Sequence, residues 1–307
     1  MNIVMTGATG LVGTALVQTL SREGHTIYRL LRPGSEKRDR PGDRVYDIQW
    51  TPDHPEIDEL PGSADGQVDA IINLGGASVA SGRWTDERKP LLRASRIDTT
   101  RGVVSAIAQM KKPPEVLISA SAIGYYGDRG DELLTESSAA GQGFLADLAQ
   151  EWEAEAAKAK ALGVRVVLAR FGIILAKHGG ALPQMMAPFK FGLGAKLGSG
   201  RQWMSWVALE DAVEIIRRAL ARDDFNGPLN VVSPAPMTNA EFTKVLAEVM
   251  HRPAIFAAPA FVLRLAMGEM ADEALLASER VAPKSLQEHG YAFLHSDLRE
   301  TLNAILH

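Results

Sequence analysis

The sequence of 307 residues contains no cysteine, and aromatic residues make up only 6% of it. The absence of cysteine excludes disulfide bonds, thiol nucleophiles and cysteine-ligated metal centres, and it fits a reducing compartment, so we expect a cytoplasmic protein. The seven histidines are scattered and never follow a His-x-x-x-His spacing. We therefore expect no catalytic metal.

The sequence also has no large excess of positive or negative charge. The net charge is −4, and the most charged stretch, residues 36–40, mixes both signs, so we expect no nucleic acid partner. No apolar run reaches the roughly 18 residues of a membrane span, and the first residues lead directly into a predicted core strand, so we expect neither a membrane anchor nor a signal peptide. Gly-x-Ser-x-Gly and Gly-Lys-Ser/Thr motifs are absent, which argues against a hydrolase elbow or an NTPase phosphate loop.

What the sequence does contain is a glycine-rich start. An apolar run over residues 2–5 is followed by Gly7, Gly10 and Gly13, and a helical apolar pattern begins at once. Glycine admits a positive φ and lets a backbone approach a ligand, while a helix N-terminus attracts phosphate. This strand, turn and helix predict a pyrophosphate site that also includes Thr9, Leu11 and Val12; a glycine-rich turn without a ligand is the alternative.

The second predicted strand, residues 26–31, ends at Leu31 and is followed by Arg32. An acidic residue about 20 positions after the glycines holds the ribose of NAD, whereas an arginine there accommodates the 2′-phosphate of NADP. Arg32 follows Gly13 by 19 positions, and no Asp or Glu occurs between residues 25 and 35. The pattern favours NADP(H), with a solvated arginine as the alternative.

The fourth predicted strand, residues 68–77, ends in small residues, as expected where a parallel strand lies against a ligand. We assign its Leu74, Gly75 and Ala77 to the cofactor. A helix over about residues 86–110 carries Arg96 on the same face as Ser95 and Thr100, directed either at the cofactor or at water.

Hydroxyl groups mark the end of the fifth predicted strand, residues 115–121. Ser121 ends it, and Tyr125 and Tyr126 follow in a glycine-rich turn, so these three are our candidate catalytic residues. A tyrosine needs a lowered pKa to transfer protons near neutrality, and Arg129 is placed to lower it. A purely structural turn is the alternative.

A sixth strand is predicted over residues 164–171. The following segment, about residues 175–206, is rich in glycine and methionine and predicts a long functional loop. Within it, Arg201 is a candidate for an anionic substrate group and Trp203 for an aromatic wall. A helix cap before residue 240 and an apolar linker over residues 253–259 complete the pattern. We predict a cofactor domain over residues 1–235 and a smaller domain over residues 236–307.

The order of these motifs, Thr-Gly-x-x-Gly-x-x-Gly, Arg32, Asn-Leu-Gly-Gly-Ala and Ser-Ala-Ser-Ala-Ile-Gly-Tyr-Tyr-Gly, resembles the extended short-chain dehydrogenase/reductases. Within them the chain is similar to the atypical epimerase-like branch over nearly its whole length. The resemblance implies an α/β fold, a Rossmann-type doubly wound parallel sheet with a small, mainly helical carboxy-terminal substrate part. It also implies that Ile174 faces the nicotinamide and that residues 267–302 form a module of unknown function.

One departure from this group concerns catalysis. Its typical members carry Tyr-x-x-x-Lys on the helix after the fifth strand, but residues 143–153 contain neither tyrosine nor lysine. The resemblance therefore implies an NADP(H)-dependent oxidoreductase or epimerase acting on a small polar or nucleotide-linked carbonyl or alcohol. The alternative is a non-catalytic NADPH-binding redox sensor. The oligomeric state stays open, with a homodimer as one option.

Overall fold

The computed structural model describes residues 1–36, 39–57, 60–63 and 66–307. Its strands are, in chain order, β1 (Asn2–Thr6), β2 (Thr26–Leu31), β3 (Val45–Gln49), β4 (Ala70–Asn73), β5 (Val116–Ala122), β6 (Leu133–Leu134), β7 (Arg165–Phe171), β8 (Ile173–Leu175), β9 (Ala195–Leu197), β10 (Trp203–Met204), β11 (Trp206–Ala208), β12 (Gly227–Val231), β13 (Met237–Thr238), β14 (Phe256–Ala258) and β15 (Arg280–Val281).

The α-helices are α1 (Leu11–Arg22), α2 (Arg88–Gln109), α3 (Phe144–Ala157), α4 (Leu182–Lys190), α5 (Leu209–Ala221), α6 (Asn239–Val249), α7 (Ala260–Met267), α8 (Lys284–Glu288) and α9 (Leu298–Leu306). Within the charged stretch 36–40, residues 37 and 38 lie outside the described residues.

Seven parallel strands form the central sheet in the order β3-β2-β1-β4-β5-β7-β12. Apolar side chains cover both of its faces. One apolar cluster includes residues of α1 and α5, and the other includes residues of α2 and the short 3-10 helix Lys158–Leu162. Strands buried on both faces explain the nearly continuous apolar runs in the sequence. The predicted doubly wound sheet is confirmed, and the strand order reverses between β1 and β4, where such sheets bind ligands.

The carboxy-terminal part is mainly helical, as predicted. Thr238 and Glu241 form a capping box at the start of α6, which confirms the predicted cap. α6 and α9 share an apolar cluster with Leu175 and Trp206. The division at residue 235 stays a prediction.

Two predicted irregular segments contain regular structure. The segment 175–206 includes α4 and β9, and the linker 253–259 includes β14, which pairs with β9 in parallel. Strands of three residues are too short to produce a recognisable alternation, which is why the sequence pattern missed them.

None of the described helices combines the length and apolar character that crossing a bilayer requires. Likewise, no three His, Asp or Glu side chains of the described residues are grouped to hold a metal ion.

Candidate functional site

The turn after β1 is shaped for a ligand's phosphates. Gly7 has a φ of +64°, and a Cβ added there would lie 2.4 Å from the carbonyl oxygen of Leu74. A Cβ on Gly13 would lie 2.2 Å from the carbonyl oxygen of Gly7. α1 begins directly after Gly10 with no side-chain cap, so its first backbone N–H groups face the open turn. The turn therefore fits the pyrophosphate of a dinucleotide, with Thr9 and Gly10 exposed at its rim.

A buried hydrogen-bond network fixes this turn to the neighbouring strand ends. The Thr6 hydroxyl donates to Asn73 Oδ1 (2.6 Å) and accepts from the backbone N–H of Gly75 (3.0 Å). Asn73 Nδ2 in turn donates to the hydroxyls of Thr100 (2.8 Å) and Ser119 (3.1 Å). The network joins β1, β4, β5 and α2, and it holds Leu74 and Gly75 beside Gly7. In the sequence, this network is indicated only by Asn73, a polar residue at the end of an apolar strand.

At the end of β2, Leu31 is buried and Arg32 is exposed. Arg29, which lies on β2 three residues before Arg32, is bound to Asp47 on β3 at 2.6 Å. Arg32 therefore stands at the carboxyl edge of the sheet, on the side of the switch point where the adenosine of a dinucleotide lies in this fold class.

Arg96 lies beside the glycines that follow β4. Its guanidinium lies 5.2 Å from the Trp152 ring, and a Cβ on Gly76 would lie 3.2 Å from its Cζ. Burial, and then the charge of Arg88, lower the pKa of Arg96 to about 10. The side-chain hydrogen bond that Arg96 makes is to the Leu92 carbonyl oxygen. This half-buried cation without a carboxylate partner among the described residues is suited to an anionic group of a cofactor. Beside it, the Ser95 hydroxyl accepts from the backbone N–H of Ala77 at 3.0 Å.

Arg96 also borders a cavity of about 340 Å³ at the carboxyl ends of β5 and β7. Its lining is mostly apolar, with walls from β5, α3, the segment after β7 and the carboxy-terminal part. Ser121 and Trp203 line it, whereas Tyr125, Tyr126 and Arg201 do not. The apolar lining residues include Val79, Ile123, Leu145, Leu148, Ala149, Trp152, Phe171, Met185, Leu197, Met204 and Leu275.

The Ser121 side chain is hydrogen-bonded to the buried ion pair of Glu153 and Arg170. Its hydroxyl donates to Glu153 Oε1 at 2.6 Å, and Arg170 donates to both oxygens of the same carboxylate at 2.7 Å. Burial lowers the pKa of Arg170, but the hydrogen bonds and charge of Glu153 outweigh it, so the net shift is upward. Ser121 reaches the cavity, yet its proton is already donated to Glu153.

The two candidate tyrosines pack against Arg170. Tyr126 is fully buried; its hydroxyl donates to Asn230 Oδ1 (2.7 Å) and accepts from Arg170 Nη1 (2.9 Å). Burial raises the pKa of Tyr126 to about 12 against the opposing effect of Arg170. This shift is opposite to the lowered pKa that proton transfer near neutrality needs, because burial outweighs the nearby cation. Arg170 also lies 3.5 Å from the centroid of the Tyr125 ring.

Arg129, which we expected to act on a tyrosine, is bound elsewhere. Its guanidinium donates to both carboxylate oxygens of Glu132 and to the Ala139 carbonyl oxygen. The cation beside the tyrosines is instead Arg170, which the sequence pattern offered only as a charged residue within the apolar run of β7.

Comparison with known proteins identifies the family. Residues 3–232 match the NAD dependent epimerase/dehydratase family, and residues 258–305 match a domain of unknown function, DUF1731. The chain belongs to the NAD dependent epimerase/dehydratase family. This membership confirms the resemblance drawn from the motifs.

Individual relatives of this family match the chain along its length. It is 40% identical over 300 residues to the epimerase family protein Mb2239 of Mycobacterium bovis, covering 98% of this chain and 96% of the relative. It is 40% identical over 309 residues to YfhF of Bacillus subtilis, covering 100% of this chain and 98% of that protein. The crystal structure of the human epimerase family protein SDR39U1 with NADPH superposes with a TM-score of 0.86 at 29% identity, over 99% of both chains.

α3 is where this family member departs from the Tyr-x-x-x-Lys pattern. Ala149 lines the cavity, and Glu153, four residues later, binds Ser121 and Arg170. The helix begins after Gly143 with no cap of its own; Glu273 supplies one by accepting from the backbone N–H groups of Phe144 (2.8 Å) and Leu145 (2.7 Å). A carboxylate thus occupies each end of the part of α3 that borders the cavity.

The other predicted site residues take varied positions. Trp203 lines the cavity and donates from Nε1 to Asp131 (2.8 Å), whereas Arg201 is exposed outside the lining. Ile174 lies on β8 next to the lining residue Ile173. Leu11 lies under Gly180, whose added Cβ would be 3.0 Å from a Leu11 methyl group, so the segment after β8 reaches the phosphate turn.

Proposed function

We propose that this protein is an NADP(H)-dependent oxidoreductase or epimerase-like enzyme that acts on a small, uncharged carbonyl or alcohol. The observation that carries the proposal is that the turn shaped for phosphates and the cavity lie at the same edge of the sheet. The phosphate turn at Gly7–Gly13 and the cavity at Ser121 lie along one carboxyl edge of the sheet. Arg96 lines the cavity and lies against Gly76, which follows the Gly75 held beside Gly7.

NADP(H) is the cofactor that the residues at this edge fit best. Arg32 offers a cation where an acidic residue holds the ribose in NAD-binding proteins. Bound NADPH supplies a hydride at its nicotinamide. Support also comes from the human relative whose crystal structure contains NADPH.

The cavity lining favours a compact substrate over a nucleotide-linked one. Among its described lining residues, Arg96 is the one cation, and it lies on the cofactor side. Glu273 also lines the cavity, and an acidic side chain there disfavours the two negative charges of a sugar diphosphate. The apolar remainder, including Leu148 and Trp152, suits a carbonyl compound with little polar surface.

Ser121 has a positioning role in this proposal. Because its proton is donated to Glu153, its free lone pairs can accept a hydrogen bond from a substrate hydroxyl but the group cannot also donate one. Ser121 therefore orients an alcohol, and Leu148, Ala149 and Trp152 exclude water from the reacting carbon.

A non-catalytic NADPH sensor is the second candidate. The observation in its favour is that Ser121 is the one catalytic candidate from the sequence in the described cavity lining, and its proton is donated to Glu153. α3 carries neither tyrosine nor lysine.

Calorimetry and turnover assays distinguish the two. Wild-type protein is titrated with NADPH and then mixed with NADPH and a panel of aldehydes, ketones and sugar nucleotides, with epimer products analysed separately. The control is Gly10→Asp. Gly10 has an ordinary φ of −76°, aspartate is favoured at an N-cap, and an added Cβ would lie 3.3 Å from the Gly7 carbonyl oxygen, so we expect the variant to fold after a small local shift and to place its carboxylate at the phosphate position. We expect binding and carbonyl reduction only in the wild type. Binding without any turnover would favour the sensor, and equal binding by the variant would refute the cofactor site.

A further inference from the structure

Glu279 is the one carboxyl group of the cavity lining that has no partner among the described residues. It lies between the short helical segment Ala271–Leu275 and β15, directly before Arg280. Its backbone is held firmly: the N–H donates to the Trp203 carbonyl oxygen (3.2 Å), and its carbonyl oxygen accepts from the Ser205 hydroxyl (2.8 Å). A rigid backbone therefore aims a side chain that no hydrogen bond or ion pair of the described chain engages.

The carboxyl group faces the ligand space near Ser121. Its Oε1 lies 4.0 Å from the position of a Cβ added to Gly124, and Gly124 and Ser121 line the same cavity. The side chain keeps part of its surface exposed because it borders the cavity, although protein surrounds the carboxyl on its other sides.

The other polar groups of the lining are already engaged. Ser121 donates to Glu153, and Ser205 donates to the Glu279 carbonyl oxygen. Glu273 accepts two backbone N–H groups at the start of α3. Asn239 Oδ1 accepts from the backbone N–H of Leu197. Glu279 is what remains for proton exchange with a ligand.

From this geometry we propose that Glu279 is the proton-transfer residue of the cavity, the role that the tyrosine of the Tyr-x-x-x-Lys pattern has in typical relatives. The inference rests on the proposed function. In carbonyl reduction, the carbonyl carbon receives the hydride carried by bound NADPH, and the carbonyl oxygen takes the carboxyl proton of Glu279. The products are the alcohol, NADP and a Glu279 carboxylate that regains its proton from water.

The electrostatic surroundings agree with this role. Burial, and then the negative charge of Asp128, raise the pKa of Glu279 to about 8. The charged groups around it are Asp128, whose carboxylate accepts from the backbone N–H of Ser278, and Glu273 in the lining. The cations nearby are directed elsewhere: Arg280 lies over the Trp203 ring, and Arg96 lies on the cofactor side. A group that titrates near neutrality is suited to general acid and base catalysis.

The first test needs no activity. Infrared difference spectra between the wild type and Glu279→Gln, recorded in the cofactor-free proteins, report the carbonyl stretch of a protonated carboxylic acid. We expect this band at pH 6.5 and its loss as the pH rises through about 8. A carboxylate already ionised at pH 6.5 would overturn the proposal.

The second test measures single-turnover oxidation of bound NADPH by the best carbonyl of the panel. Glu279→Gln should lower the rate by about 100-fold to 10,000-fold, the usual contribution of general acid catalysis, with NADPH affinity unchanged. The wild-type rate should fall as the pH rises above about 8, the variant's residual rate should lose this dependence, and Glu279→Asp should restore part of the rate.

The control is Glu132→Gln, which removes an exposed carboxylate on Arg129 and should leave rate and pH profile unchanged. A Glu279→Gln variant as fast as the wild type would refute the role of Glu279 and leave the proposed function standing. A wild type that binds NADPH but reduces no carbonyl would refute both.

Discussion

Ser121 Oγ donates to Glu153 Oε1 across 2.6 Å, and this short contact decides what the serine can do. Because Glu153 also receives two hydrogen bonds from Arg170, its side chain is held in one position. The serine is therefore an acceptor toward the cavity. The proton that a reduced carbonyl needs has to come from another wall, which is why the unpartnered Glu279 becomes important.

The buried pair itself yields a prediction for stability. The side chains of Arg170 and Glu153 are only 2% and 8% exposed, so Glu153→Gln leaves a cation buried without its counter-ion. We expect it to lower the free energy of unfolding by about 3–5 kcal/mol, measured by urea denaturation. The double variant Glu153→Leu/Arg170→Met removes both charges and should recover most of this loss. Equal losses in the single and double variants would show that packing, and not the unpaired charge, is responsible.

Cofactor choice is tested at Arg32. If its guanidinium contacts the 2′-phosphate, the wild type should bind NADPH at least about tenfold more tightly than NADH, a difference of about 1.4 kcal/mol, and Arg32→Ala should erase most of it. NADH affinity should stay the same. Isothermal titration with both coenzymes measures this, and Arg101→Ala on the exposed face of α2 is the matched control. Equal affinities of the wild type for NADPH and NADH would contradict the assignment of NADP(H).

Local patterns predicted the central sheet and the glycine-rich turn, but they did not predict the partners of Ser121 or the cap of α3. The glycines at 7, 10 and 13 and the apolar strands are set by neighbouring residues, so their spacing in the sequence carried the information. Glu153, 32 residues from Ser121, and Glu273, 128 residues from Leu145, act through contacts that only tertiary packing creates. A glutamate on a helix looks like a solvated residue in the sequence. Only the structure shows that it faces a serine, an arginine or a helix end.

Glu273 links the carboxy-terminal part to the cavity wall, and its removal tests that link. Glu273→Ala leaves the first N–H groups of α3 without their cap, which should cost about 0.5–2 kcal/mol in the free energy of unfolding. Because these N–H groups lose their acceptor, hydrogen exchange at the first turn of α3 should also increase. The same helix carries Leu145, Leu148 and Ala149 of the cavity lining. The control Glu269→Ala removes only an exposed ion pair with Lys89 and should change stability by less than about 1 kcal/mol. Unchanged exchange in Glu273→Ala would show that α3 does not depend on this cap.

The raised pKa of Glu279 predicts how stability depends on pH. In the unfolded chain this carboxyl titrates near its ordinary value of 4.5, whereas in the folded protein it keeps its proton up to about 8. Between these values only the unfolded state releases the proton, so folding loses at most about 1.4 kcal/mol per pH unit as the pH rises, and the loss is complete above about 8. Glu279→Gln cannot ionise. Its free energy of unfolding relative to the wild type should therefore be smallest at pH 4 and increase up to about pH 8, then level off. Urea denaturation of both proteins at each pH measures the difference, and a difference independent of pH would mean that Glu279 is charged in the folded protein.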